Sequence, residues 1–272
     1  MTSHDVINVL RKQLGERRIG HAGTLDPDAT GVLLVGVGYV TRLLIFLSGL
    51  DKTYTGQIVL GTATSTLDSS GTVTATHEMS GVTIDEIKHV VAEKFVGEIK
   101  QTPPMVSALK VDGVRLHELA RQGIEVERDE RNLTIYDFKV LAMSEPGVVD
   151  VEIRCSSGTY IRSLADDIGR ALGGSAHLRN LRRTAVGTFM QSEASSLDAV
   201  VVHEPITAVR SMSRVVATDE MKAMIKNGRE LDKFDSPAPW VLVDETNAVL
   251  AIYVQSATGR AKPSVVMATA VS

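Results

Sequence analysis

Val6, Val9, Leu10 and Leu14 recur at helical spacing, and Thr2 with Asp5 three residues on supplies a capping box. The pattern therefore predicts a helix from the first residues of the chain. "VLLVGVG" (32–38) is a short apolar run bounded by glycine and reads as a buried strand, although periodicity alone leaves a helix open. "KTYTGQIVLG" (52–61) alternates and reads as a strand, and "TSTLDSSG" (64–71) as a turn-rich connector. A second capping box, Thr83 with Glu86, opens the predicted helix "IDEIKHVVAEKFVG". "QTPPMVSALKVDGVRLHELARQG" (101–123), with two prolines, two glycines and several basic residues, reads as an excursion carrying a short helix. "NLTIYDFKVLAM" and "VVDVEIRCSSG" read as two strands joined by the Pro146-Gly147 turn. In "YIRSLADDIGRALG" the residues Ile161, Leu164, Ala165, Ile168 and Leu172 form one apolar helical stripe, and Gly173 ends the helix. Near residue 210 the texture changes, and "MKAMIKNGREL", "PWVLVDETNAVLAIYVQ" and "PSVVMA" suggest a small β-rich module.

Composition narrows the class. Of 272 residues, 43% are hydrophobic and 23% charged, as in an ordinary globular protein with a sizeable core. Cys155 stands alone, which excludes an internal disulfide framework and a cysteine-based zinc site. No apolar run is long enough to span a bilayer, and the N-terminal segment lacks a signal-peptide stretch, so a cytoplasmic location is expected. The net charge of −4 argues against binding by bulk phosphate attraction, so any contact with nucleic acid must come from local basic patches.

The densest candidate chemistry lies in "GHAGTLDPDATG" (20–31). Asp26, Asp28, Thr30 and Gly31 match the first half of a calcium loop, but its twelfth position holds Val37 instead of a bidentate glutamate. No Gly-Lys-Ser/Thr follows, so it is not a P-loop. "DKTYTG" has Tyr54 where the aspartyl-phosphate motif of cation pumps needs glycine.

Taken with its neighbours, this loop resembles the signature of the tRNA pseudouridine-55 synthases of the TruB type. "DKTYTGQIVLGTATSTLDSSG", "CSSGTYIRSLADDIG" and "AHLRNLRRTAVG" resemble the family's further motifs in the same order, and "TPPMVSALKVDGVRLHELARQGIEVER" its RNA-gripping insertion. The likeness spans residues 1 to about 200. It implies an α+β fold, with a large, mostly antiparallel mixed sheet and helices over 1–210, the insertion at 102–131, and a small PUA-like β-rich module at 211–272. It also implies isomerisation of uridine 55 in the T-arm loop of tRNA, by an aspartate-dependent mechanism with base flipping and no metal or cofactor. A monomer with no obligatory protein partner and no membrane contact is expected.

The resemblance assigns roles residue by residue. Asp26 would be the reacting carboxylate, attacking C1′, attacking C6 or removing a sugar proton; all three routes stay open. Arg162 would pair with Asp26, since a nearby cation favours the charged carboxylate. Tyr54 would stack on the uracil and help remove the C5 proton, and Tyr160 and Leu181 would wall the base pocket. His21 would occupy the space of the flipped base, and Asp68 would hydrogen-bond groups in the site. Lys110, Arg115, Arg121, His177, Arg179, Arg182 and Arg183 would meet phosphates. The alternatives are a non-catalytic tRNA-folding or RNA-binding chaperone, a hydrolase using Asp26 and Asp68, or the same chemistry on ribosomal or messenger RNA. The family pattern leads us to expect a strand with a Lys-Pro pair ahead of "TSHDV", where Met1 stands. A late start, a shortened chain or a real absence would each account for this, and a real absence would leave a weaker sheet edge open to strand exchange.

Overall fold

The computed structural model describes residues 1–107, 109–111 and 113–267, without the side chains of Lys110, Val111, Arg115 and His117. Two compact units form. One comprises Leu25–Val32 and Gly49–Ala194, the other Met1–Thr24, Leu33–Ser48 and the described residues from Ser195 onward. Among the described residues no helix is long and apolar enough to cross a membrane.

The first unit is built on a seven-stranded sheet. Six strands run antiparallel in the order Phe189–Met190, Ala176–Val186, Lys52–Leu60, Val148–Cys155, Arg131–Glu145, Gly97–Gln101. The seventh, Thr30–Gly31, pairs parallel with Arg182 and Arg183, making the sheet mixed and mostly antiparallel, as expected. The Lys52–Leu60 strand is central because its alternation buries Tyr54, Ile58 and Leu60 on one face. Helices Ile84–Lys94 and Ile161–Ala171 cover that face with Ile87, Val91, Leu164 and Ile168, all at most 2% exposed. Each such side chain contributes about 1.5–3 kcal/mol. The expected insertion is a hairpin, Lys110–Val111 with Val114–Arg115, followed by the helix Leu116–Arg121.

The Ile161–Ala171 helix lacks a side-chain cap at Tyr160. The buried Gln101 amide anchors that residue from the sheet: Tyr160 N–H donates to Gln101 Oε1 at 2.8 Å, and Gln101 Nε2 donates to the Tyr160 carbonyl at 3.0 Å. The edge strand thus fixes where this helix starts. Farther along, burial, reinforced by the neighbouring Asp166, pushes the Asp167 carboxyl up to about 6 from its ordinary 3.8. The folded state therefore holds this proton more tightly than the unfolded chain, and stability is lost as pH rises from 3.8 to about 6. Asp167→Asn is expected to raise the thermal midpoint at pH 8 and to bring no gain at pH 4, as differential scanning fluorimetry across pH would show.

In the second unit, the helix Ser3–Leu14 carries the expected capping box, with Asp5 N–H donating to Thr2 Oγ1 at 3.2 Å and Thr2 N–H to Asp5 Oδ2 at 2.8 Å. Ile7 and Leu10 pack against Ile19 of the strand Ile19–His21, which pairs with Val35–Val37. The run "VLLVGVG" is thus a strand only at Val35–Val37. Gly38, at φ +64°, then turns the chain into a 3₁₀ helix, Gly38–Leu43. Leu43 is fully buried among Val241, Val243 and Ile252, so residues 33–48 share a core with the C-terminal segment. That segment forms a four-stranded sheet among the described residues. Ser213–Val216 runs parallel to Trp240–Val243, followed by Val249–Gln255 and Ala261–Val266.

Candidate active site

The loop holding Asp26 is a turn before it is a site. Ala29 N–H donates to the Asp26 carbonyl at 2.9 Å, with Pro27 at the turn's second position, where its fixed φ fits. The loop is then pinned to the sheet at Gly31. Its φ is +103°, and a Cβ there would stand 2.1 Å from the Arg183 carbonyl oxygen, so only glycine fits. Val32 N–H seals the junction by donating to that same oxygen at 2.8 Å.

Arg162, in the first turn of its helix, is 4% exposed, whereas the Asp26 side chain is 36% exposed. The guanidinium grips the carboxylate with two bonds, Nε to Oδ2 at 2.8 Å and Nη2 to Oδ1 at 2.9 Å. Its other donors are also used, Nη1 on the Thr66 carbonyl at 2.8 Å and Nη2 on the Val106 carbonyl at 2.9 Å. A buried cation needs this degree of satisfaction. The Asp68 Oδ2 lies 3.6 Å from Arg162 Nε, while its Oδ1 accepts from Thr66 Oγ1, Ser70 N–H and Ser70 Oγ at 2.6, 3.1 and 2.5 Å. Thus one guanidinium stands against two carboxylates, with one face of Asp26 left open.

Asp26, Asp68 and Arg162 line a shallow, open cleft, walled also by Leu178, Asn180 and Leu181. Tyr54 is buried deeper, 8% exposed, and Arg183 hydrogen-bonds its hydroxyl. Burial raises the pKa of both Tyr54 and Tyr160, and the negative charge of Asp26 adds to it in each case. Both phenols are therefore near that carboxylate.

The structure thus brings together Asp26, Tyr54, Asp68, Tyr160, Arg162 and Leu181. His21 ends the strand Ile19–His21 in the other unit. The basic run needs correction. Arg183 is 1% exposed, its Nε donating to the Val32 carbonyl at 2.8 Å, and His177 is 9% exposed, with Nδ1 2.9 Å from the Thr62 carbonyl. Both are buried and offer little surface to a phosphate. Arg182 is exposed, Arg179 half-buried and Arg121 exposed at the end of its helix. The side chains of Lys110 and Arg115 lie outside the described residues. Sequence reading missed the Thr66 and Val106 carbonyls, because a backbone acceptor leaves no residue signature. Ser70 was legible, since Asp two residues before Ser is an Asx-turn pattern.

A model of the TruB family pseudouridylate synthase N-terminal domain matches residues 11–161, and one of the tRNA pseudouridylate synthase B C-terminal domain matches 162–225. The chain belongs to the TruB family. Proteins named tRNA pseudouridine synthase B from Rhodococcus jostii (strain RHA1) and Halalkalibacterium halodurans are 44% and 39% identical to it. The alignments cover 93% and 98% of this chain and 86% and 94% of those proteins. A solved structure described as a Cbf5-Nop10-Gar1 complex superposes with a TM-score of 0.70 at 26% identity, over 95% of this chain and 76% of that one. As a TruB-family pseudouridylate synthase, the chain is an isomerase.

Proposed function

We propose that this chain converts uridine 55 in the T-arm loop of tRNA to pseudouridine, with Asp26 as the reacting carboxylate. The observation that carries this reading is the half-open Asp26 carboxylate, gripped on one side by the buried Arg162 fork and facing the cleft on the other. The reaction breaks the C1′–N1 bond, forms C1′–C5, protonates N1 and releases the C5 proton, so atoms balance without a cofactor. A carboxylate can serve it as nucleophile or as base. The target base must leave its stack to reach Asp26, and Tyr54, Tyr160 and Leu181 supply faces to receive it. The relatives' name supports tRNA as the substrate. Exposed Arg121 and Arg182 supply phosphate contacts, and the loop's shape supplies most of the recognition.

Tritium release from a T-arm hairpin tests the proposal. A hairpin with 5-tritiated uridine at position 55 alone is expected to release its label, and one labelled at position 54 alone is not. Tight binding without release from either would replace this reading with an RNA-folding chaperone. Release from position 54 alone would overturn the site assignment.

A further inference from the structure

We infer that Gln57 is a positioning residue for the cleft wall at Leu181, acting from the opposite face of the sheet; this rests on the role proposed above for Leu181. In the pairing of Ala176–Val186 with Lys52–Leu60, Arg179 stands opposite Gln57 and Arg182 opposite Thr55. Two residues, Asn180 and Leu181, therefore oppose the single Gly56, and Asn180 takes φ +54°. This is a β-bulge, and it changes which side chains share a face. In a regular strand, residues three apart point to opposite faces. Here Leu178 and Leu181 both line the cleft. Both leucines lie over Gly56, where a Cβ would meet Leu178 Cδ1 at 3.4 Å and Leu181 Cδ1 at 3.7 Å, ordinary contact distances.

The extra residue is held by one amide. Gln57 Oε1 accepts from Asn180 Nδ2 and from Arg179 Nε, both at 2.8 Å. Gln57 Nε2 donates to Asp150 Oδ1 on the neighbouring strand, also at 2.8 Å. Arg179 Nη2 reaches Glu145 Oε1 at 2.9 Å. Gln57 thus ties the bulge to two strands of the rigid sheet and fixes the register at which Leu181 enters the cleft. A bulge without this tie can shift, and Leu181 shifts with it.

The test uses the full-length protein and a T-arm hairpin. Gln57→Leu keeps the size of the side chain and removes its hydrogen bonds. It is expected to lower kcat about tenfold, with KM and hairpin affinity within about twofold, because misplacing a contact costs rate before it costs binding. Gln57→Glu combined with Asp150→Asn reverses the amide and carboxylate while keeping acceptors for Arg179 and Asn180, and is expected to restore kcat to within about threefold of the parent. Asn180→Gly keeps the positive φ and removes one tie, so it reads the same effect if Gln57→Leu folds poorly, with a loss of about threefold. An unchanged kcat in Gln57→Leu and Asn180→Gly, a rise in KM alone, or no recovery in the reciprocal double variant would overturn the inference. A second readout does not need turnover. The Leu181 methyl resonances, assigned by their loss in Leu181→Ala, are expected to broaden or shift in Gln57→Leu and to return in the double variant. If the parent protein modifies no uridine, the functional reading fails, while the methyl signals still decide whether Gln57 positions Leu181.

Discussion

Asp26→Asn is expected to lower the single-turnover rate of pseudouridine formation by at least about 1,000-fold, as loss of a nucleophile or general base does. Affinity for the hairpin should stay within about tenfold, because phosphate contacts dominate RNA binding. The substitution keeps the shape of the side chain. Its amide oxygen can still accept from Arg162, and the amide NH₂ can turn toward solvent, since the Asp26 side chain is 36% exposed. The Ala29–Asp26 backbone bond that shapes the turn is untouched. The variant should therefore fold and bind, and rapid-quench assays beside filter binding would separate chemistry from recognition. Normal turnover would remove Asp26 from the mechanism. A hundredfold loss of affinity with turnover kept at saturating hairpin would make it a binding residue instead.

Whether a feature was legible in the sequence depended on how local its cause is. The capping boxes at Thr2 and Thr83 closed as read, because each needs only residues three apart. The Arg131–Glu145 and Val148–Cys155 hairpin was legible from alternation and its Pro-Gly turn, with Gly147 at φ +73°. The parallel pairing of Thr30–Gly31 with Arg182 and Arg183 was not, because it spans two residues and joins segments 152 apart in the Arg182–Thr30 contact. The basic run at 177–183 misled because residue type does not say which face a residue occupies. A bulge resets alternation there, so Arg183 points into the protein beside Tyr54 while Arg182 points out. The sharing of a core by residues 33–48 and the C-terminal segment is a long-range packing choice with no local signature. In the site, Asp26 and Arg162 were found through family resemblance, and the carbonyls that complete the Arg162 shell only through the fold.

Arg162→Lys is expected to be as informative as loss of the carboxylate, because it keeps the charge and removes the fork. A lysine ammonium is a point donor and cannot reach both Asp26 oxygens, the Thr66 carbonyl and the Val106 carbonyl at once. Losing hydrogen bonds of this charged group costs about 1.5–3 kcal/mol. At about 2–4 °C per kcal/mol for a domain of this size, the thermal midpoint should fall by roughly 3–12 °C. The rate should fall by about 100-fold or more, the cost of a reacting group misplaced by an ångström. The decisive comparison is the double variant. If Arg162 acts on the reaction by orienting Asp26, then Arg162→Lys costs little further rate once Asp26→Asn is in place, although its effect on stability remains. Full multiplication of the two rate losses would show instead that Arg162 contributes to the transition state independently of Asp26. A retained rate in Arg162→Lys with a lowered midpoint would confine the guanidinium to holding the Thr66 and Val106 segments in place.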